Sequence, residues 1–286
     1  VQLFPDAKTL AIELAGDRRA EELARAQLYD WDAIFIPDHA FKRLPLSPDA
    51  QRKRLQPRKR EFEQAISSEV ARVRREAGSK EAKRLQKRLA KRFAKIESTL
   101  ENQIEETERD DVDIYFDELG VDALFFDEAH LFKNALGTPK GAELGIAKTQ
   151  PSQRAEDALQ KSRWIHEQTG GHNVWILTAT PVQNSPIEVW HMLNLCAPNL
   201  LKKYEIEYLD NFIDLFVRSA PEDRRKVSGD YKREQAVVGY RNLPEMRRII
   251  DEALDVKSYD QLQQFYEENP GFGQPFSRPA DNTIVE

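Results

Sequence analysis

The sequence predicts an α/β fold: short parallel strands alternate with helices, and one long helical hairpin interrupts them. Three observations carry this reading. Near the N-terminus, two apolar segments flank an amphipathic helix. Further on, a second pair of apolar segments ends in polar residues, as strands of open α/β sheets do where they present ligand sites. Between the pairs, from about Asp49 to Arg109, the apolar spacing becomes that of long helices.

Lys8-Thr9-Leu10-Ala11-Ile12 reads as a short strand, and Asp17 to Tyr29 as a helix with Ala20, Leu23, Ala24 and Leu28 on one face. Asp32-Ala33-Ile34-Phe35-Ile36 is a second strand, running into Pro37-Asp38-His39-Ala40-Phe41. Strand, helix, strand in that order argues for a right-handed parallel unit. His39 would then stand at a strand's carboxyl end, a place that suits a loop residue as well as a functional one. Pro45 and Pro48 close this part.

In the helical stretch, Phe62, Ile66, Val70 and Val73 form one apolar stripe. Leu85, Leu89, Phe93, Ile96, Leu100 and Ile104 form another beyond Gly78-Ser79. A narrow stripe on each side of a Gly-containing turn predicts an antiparallel helical hairpin. Its outer faces carry Arg72, Arg74, Arg75, Lys83, Arg84, Lys87, Arg88, Lys91 and Arg92. Such a face can contact phosphates. It can equally be a solvated coiled-coil surface, which the lack of interleaved aromatic residues favours.

Val121 to Phe126 resumes the sheet, and Asp127-Glu128-Ala129-His130 follows at once. An apolar run of that length bounded by charge reads as a buried parallel strand. An Asp at its carboxyl end can hold magnesium through water, and a Glu beside it can orient or deprotonate a water for attack on a phosphate. Four letters alone also fit a strand running into a polar loop. Lys133-Asn134 and a Gly-rich loop from Gly137 to Gly145 come next; the loop lacks a Gly-Lys-Ser/Thr ending and is not read as a phosphate-binding loop. Pro151 to Gln168 is a helix with Ala155, Ala158, Leu159, Trp164 and Ile165 near one face, ended by Gly170-Gly171. Asn173 to Leu177 is a strand followed by Thr178-Ala179-Thr180-Pro181. Ser185, Pro186 and Glu188 form a capping-box pattern for a helix with Val189, Met192, Leu193 and Leu195 inward.

Beyond Pro198 the pattern is helical from Tyr204 to Val217, then highly charged from Glu222 to Gln235. Another helix starts at Leu243-Pro244-Glu245-Met246, Asn269 to Pro275 reads as a linker, and Thr283-Ile284-Val285 as the opening of a strand. If the strands before Asp127 and Thr178 are adjacent and parallel, both polar sets lie at one sheet edge. The Thr178 and Thr180 hydroxyls would then come within reach of His130 or Glu128, a link suited to a switch. Thr-Ala-Thr-Pro by itself also suits an ordinary strand-to-helix turn; the two sets in this order are far more specific.

The chain has 286 residues, 40% of them hydrophobic and 32% charged, and its apolar runs are too short to span a membrane. Cys196 is the only cysteine, so no internal disulfide forms and a reducing cytoplasm fits; the five histidines show no zinc-ligand spacing with it. The net charge of −6 hides an asymmetry: Gln51 to Arg109 holds 18 basic and 10 acidic residues, the remainder 25 and 39. A basic segment thus stands on an acidic body. The start, Val1-Gln2-Leu3-Phe4-Pro5-Asp6, has neither an initiator Met nor a signal peptide and reads as a piece of a longer chain.

Asp127-Glu128-Ala129-His130-Leu131-Phe132-Lys133-Asn134, with Leu177-Thr178-Ala179-Thr180-Pro181-Val182-Gln183-Asn184-Ser185-Pro186 downstream, resembles motifs II and III of superfamily 2 helicases. The Lys-Asn and Pro-Val-Gln-Asn extensions resemble the Swi/Snf-type branch. Asp32 to Ser47, with His39 and Phe41, resembles that branch's motif Ib region, with Pro37-Asp38 where a threonine is usual. Ser152-Gln153-Arg154-Ala155, the helical insert and Gly239 to Met246 are similar to large helicase-like proteins of phages and mobile elements, often fused to adenine-specific DNA methyltransferases.

The resemblance implies an incomplete RecA-like three-layer sheet with a helical hairpin insertion and a helical C-terminal extension. Residues 1–48 and 112–203 would belong to the first lobe, 49–111 to the basic hairpin, 204–275 to the extension and linker, and 276–286 to the start of a second lobe. It implies ATP and magnesium as cofactors and DNA, double-stranded by preference, as partner. Asp127 would hold magnesium through water, Glu128 would act on the attacking water, and His130, Thr178 and Thr180 would couple hydrolysis to movement. His39 and Phe41 would lie near the nucleic-acid track, with Lys133, Asn134 and Asn184 facing it and Arg84 and Arg88 adding contacts from the hairpin.

The phosphate loop that the family places upstream does not occur in these 286 residues, nor does the downstream motor lobe with its arginine finger. Loss of such a finger alone costs on the order of 10³-fold in rate or more. The isolated chain is therefore expected to bind ATP poorly and not turn it over. A catalytically silent DNA- or protein-binding module on the same fold is the alternative, and an RNA helicase a third; intact Asp127 and Glu128 argue against the silent module.

Overall fold

A computed structural model describes residues 5–109, 114–133, 144, 152–182, 185–225, 231–257 and 259–269. The chain divides into two compact units, Val1–Leu243 and Pro244–Glu286. The first mixes helices with small parallel sheets, an α/β arrangement.

Strand β1 (Thr9–Ala11) pairs in parallel with β2 (Ala33–Phe35), Thr9 opposite Ala33. Helix α1 (Arg19–Leu28) connects them. It turns Leu23 and Ala26 inward and leaves Leu28 75% exposed, so the buried stripe is narrower than the spacing predicts. A one-turn helix, α2 (Asp38–Phe41), follows β2.

The hairpin is present, as α3 (Pro48–Ala77) and α4 (Ser79–Arg109). Gly78 joins them at φ +90°, a conformation that costs a side-chain-free residue little. Ser47 caps α3 through its hydroxyl, with Pro48 in the first turn. Leu85, Leu89 and Ile104 are buried in the seam, and Ile66, Val70, Val73 and Phe93 half-buried. The base is tied to the body. The Ser47 N–H and hydroxyl both donate to the Asp117 carboxylate, at 2.7 and 2.6 Å, and buried Arg54 pairs with Glu167 at 2.8 Å.

Strand β3 (Leu124–Phe126) pairs in parallel with β4 (Val174–Ile176), Phe125 opposite Trp175. Helix α5 (Gln153–Thr169) lies between them in sequence, and Gly170 at φ +69° ends it. The two strand pairs are separate two-stranded sheets among the described residues, where the sequence suggests one sheet. They nevertheless share a core. Leu10, Ile12, Phe41, Phe116, Phe126, Leu159 and Val174 belong to a single buried cluster. Phe41 joins the halves, its ring edge-on to Phe116 and Phe126 at 6.0 and 5.9 Å.

One expectation fails at β3. The run Val121–Phe126 is not buried throughout, since Phe125 is 66% exposed and stacks on Trp175 at 4.6 Å. Side chains alternate between the faces of a strand, and among the described residues only one face of this pair is covered.

Helices α6 (Ile187–Cys196), α7 (Pro198–Lys203) and α8 (Leu209–Phe216) follow β4. All of α6 from Ile187 to Leu195 is buried. The helix read from Tyr204 to Val217 ends at Phe216, and the described residues of the charged stretch lie in strands. Val217–Arg225 (β5) and Tyr231–Tyr240 (β6) form an antiparallel hairpin, Val217 opposite Tyr240. The sequence reading of residues 204–275 as a helical extension and linker contained no strand there. Charged side chains hide the strands; among the described side chains, Val217 and Ala236 are buried. The second unit contains most of α9 (Leu243–Ala253) and all of α10 (Tyr259–Glu268). The linker from Pro270, the strand read at Thr283–Val285 and nearly all of the Gly-rich loop lie outside the described residues.

Candidate functional site at the carboxyl ends of two parallel strands

The β3–β4 ladder continues past both strands. The Leu177 N–H donates to the Phe126 carbonyl at 2.8 Å, and the Ala129 N–H to the Leu177 carbonyl at 2.9 Å. These bonds make the Asp127–His130 turn and the Thr178–Thr180 turn leave the sheet side by side. Glu128 is left-handed at φ 50°, ψ 48°, and Asp127 Oδ1 accepts its N–H at 2.9 Å. A non-glycine residue in that region costs on the order of 1 kcal/mol and is uncommon enough to mark a constrained turn. The turn runs straight into a 3-10 segment, Ala129–Phe132, whose Ala129 and Phe132 are buried while His130 faces the rim.

His130 Nδ1 meets two partners, Glu128 Oε2 at 3.1 Å and Thr178 Oγ1 at 3.4 Å. With its proton on Nδ1 the ring donates to the carboxylate; with its proton on Nε2 it accepts from the hydroxyl. One nitrogen cannot serve both fully, so the two interactions compete. The Thr178 oxygen also accepts the Thr180 N–H at 3.1 Å, which orients its hydroxyl hydrogen away from its own turn. Asp127, Glu128 and Thr180 are exposed. The arrangement presents carboxylates to solvent at a rim and joins that rim to the neighbouring strand through one imidazole.

The other singled-out residues fall elsewhere. His39 is exposed on α2, 3.6 Å from Asp38. Phe41 is 8% exposed and forms part of the core, with no open face for a nucleotide base. Lys133 pairs with Glu188 at 3.0 Å, both largely enclosed, and so ties the 3-10 segment to α6. That pair also corrects the capping box: the Ser185 hydroxyl accepts the Ile187 N–H at 3.3 Å, but the Glu188 carboxylate goes to Lys133. Arg84 and Arg88 are exposed on α4. Asn134 and Asn184 lie outside the described residues.

Among the described residues, no cluster of three or more His, Cys, Asp or Glu side chains could hold a metal ion alone. Asp127 does fit a more modest role. It is one exposed carboxylate at a strand's carboxyl end, and magnesium commonly takes one or two carboxylates and completes its shell with water and phosphate oxygens.

Sequence reasoning missed three side chains. Lys161 has no exposed surface; its ammonium donates to the Phe41 carbonyl at 2.8 Å and pairs with Asp157 at 2.6 Å, and burial lowers its pKa. The signal was present: Lys161 falls three after Ala158 and four before Ile165, on the apolar row of α5. His166 bridges α5 to the end of α6, its ring nitrogens 3.2 Å from the His172 carbonyl and 2.7 Å from that of Leu195. His191, on α6, is buried with neither nitrogen hydrogen-bonded, and burial pushes its pKa down to about 4.

A family described as a probable helicase domain matches residues 2–258. A protein of Escherichia phage P1, "Defense against restriction protein B", is 30% identical over 156 residues, covering 54% of this chain. The chain spans about 7% of that relative's length. No solved structure matches.

Proposed function

Because the chain belongs to the probable helicase domain family, we propose that it forms most of the first motor lobe of an ATP-driven DNA translocase of the superfamily 2, Swi/Snf-like kind. In this reading the two parallel pairs are parts of one RecA-like lobe, residues 1–48 and 112–203. The hairpin at 49–111 is its insertion. The observation that carries the proposal is the His130 bridge, which connects an acidic turn to the Thr178 turn of the adjacent strand. A hydrolytic site that drives movement needs such a joint, because a change at the nucleotide has to reach another element.

Glu128 would orient and deprotonate the attacking water, and Asp127 would be the carboxylate that helps hold magnesium. Magnesium, when bound, offsets charge on the phosphates. His130 is freed or engaged as Glu128 changes partners, and Thr178 reports that change along β4. His39 stands by the nucleic-acid track. Arg84 and Arg88 contribute phosphate contacts from α4. DNA rather than RNA as the track follows from the Swi/Snf-like reading of the Pro181-Val182-Gln183-Asn184 extension.

In the full-length protein, Glu128→Gln keeps the shape of the side chain and removes its basicity. We expect it to lower ATP turnover by about 10²- to 10⁴-fold with nucleotide binding largely intact. Unchanged turnover would remove Glu128 from this role.

A further inference from the structure

The turn that carries His39 is held from behind. Helix α2 is a single turn, too short to be rigid alone. Its last residue, Phe41, has its carbonyl capped by the buried Lys161 ammonium at 2.8 Å, and the same ammonium lies 3.9 Å from the centre of the Phe41 ring. At its other end, Asp38 is gripped by Arg154 at 2.7 Å while its other carboxylate oxygen faces His39. Both cations come from α5, seven residues and about two helical turns apart. Helix α5 also packs on the Ala129–Phe132 segment that carries His130.

We propose that Lys161 and Arg154 are positioning residues that clamp α2 at both ends onto α5, fixing where His39 stands relative to the Asp127–His130 rim. Neither touches substrate; each acts on His39 through the backbone or through Asp38. A cation on the Phe41 carbonyl favours the helical turn at its carboxyl end, and the Arg154–Asp38 pair tethers its first turn to α5. Lys161 has no surface through which to do anything else. The nucleic-acid role of His39 rests on the reading above; the clamp itself does not.

The test uses Lys161→Met, which keeps the stem and removes the donor, and Arg154→Gln, a half-exposed position where misfolding is not a concern. Amide hydrogen exchange over residues 38–44, without DNA, reads the clamp. Both variants should speed exchange there by about tenfold or more, relative to the β3–β4 region of the same protein, and Lys161→Arg should restore part of the protection. Wild-type exchange in Arg154→Gln and in a folded Lys161→Met would overturn the clamp. Affinity for a fluorescein-labelled duplex DNA is then measured in wild-type and His39→Ala backgrounds. Arg154→Gln should weaken binding about three- to tenfold in the first and add nothing in the second. Equal losses in both backgrounds would overturn action through His39. If His39→Ala leaves affinity unchanged while exchange still rises in the variants, the clamp stands and the nucleic-acid reading of His39 falls.

Discussion

The turns after β2 and after β3 occupy matching ends of two parallel pairs, yet they are built in opposite ways. The first is a closed turn of helix whose polar groups are answered from α5: a fully buried lysine on one end, a half-exposed arginine on the other. The second is open, with two exposed carboxylates, a left-handed glutamate and one imidazole shared between a carboxylate and a hydroxyl at 3.1 and 3.4 Å. Buried, multiply bonded groups are costly to rearrange, whereas long bonds at a wet rim cost little. The contrast separates a part made to stay in place from a part made to change partners.

The difference should appear first in stability. Lys161→Met leaves the Asp157 carboxylate without its ammonium partner and the Phe41 carbonyl with the Leu44 N–H alone, at 3.3 Å; it should lower the unfolding free energy by about 2–4 kcal/mol in a urea titration. A loss below about 1 kcal/mol would mean the closed turn is no firmer than the open one. Helix α6, which packs on β4 and on the Ala129–Phe132 segment, should also be acid-sensitive. His191 is held neutral, with its pKa lowered to about 4, whereas the unfolded chain takes up that proton near pH 6.5. Its contribution is full above about pH 6.5 and is lost as pH falls toward 4, by about 3 kcal/mol in all. His191→Leu should flatten this part of the pH–stability curve. The same acid sensitivity in the variant would assign it to other groups.

Smaller effects belong to the open side. Thr178→Val removes the 3.4 Å contact to His130 and the exposed acceptor of the Thr180 N–H, and should cost about 1 kcal/mol in the same titration; a loss as large as that of Lys161→Met would erase the contrast. Reversing charge at Arg84 and Arg88 should leave stability within about 0.5 kcal/mol. It should weaken duplex binding and flatten the logarithmic salt slope by about 2. An unchanged affinity and slope would make the hairpin a packing or partner surface.

Much of this was legible in the sequence, for reasons that differ by region. The hairpin declares itself because its stripes repeat over many turns, and Leu85, Leu89 and Ile104 fall where the spacing puts them. The adjacency of the acidic and threonine turns follows from two apolar runs and the rule that sheet ligands gather at strand carboxyl ends. The β5–β6 hairpin stayed hidden because its sequence is dominated by charged residues and its register shifts at Arg218/Ser219, so no regular alternation signals a strand. Phe41 is a different case. A family motif put it near the track, but the ring is a packing bridge, and the cation beneath it comes from a helix 120 residues away in sequence. Lys161 was readable from its position on the α5 apolar row, but its partner was not, since a carbonyl leaves no trace in composition.

The central claim is that His130 joins the acidic turn to the neighbouring strand, so that hydrolysis and movement share one side chain. DNA-stimulated ATP turnover of the full-length protein, measured for wild type, His130→Ala, Thr178→Val and the double variant, tests it most directly. We expect each single variant to lose most of the stimulation by DNA while keeping basal turnover, and the double variant to be no worse than either. Independent, multiplying losses, or stimulation that survives in both single variants, would contradict it.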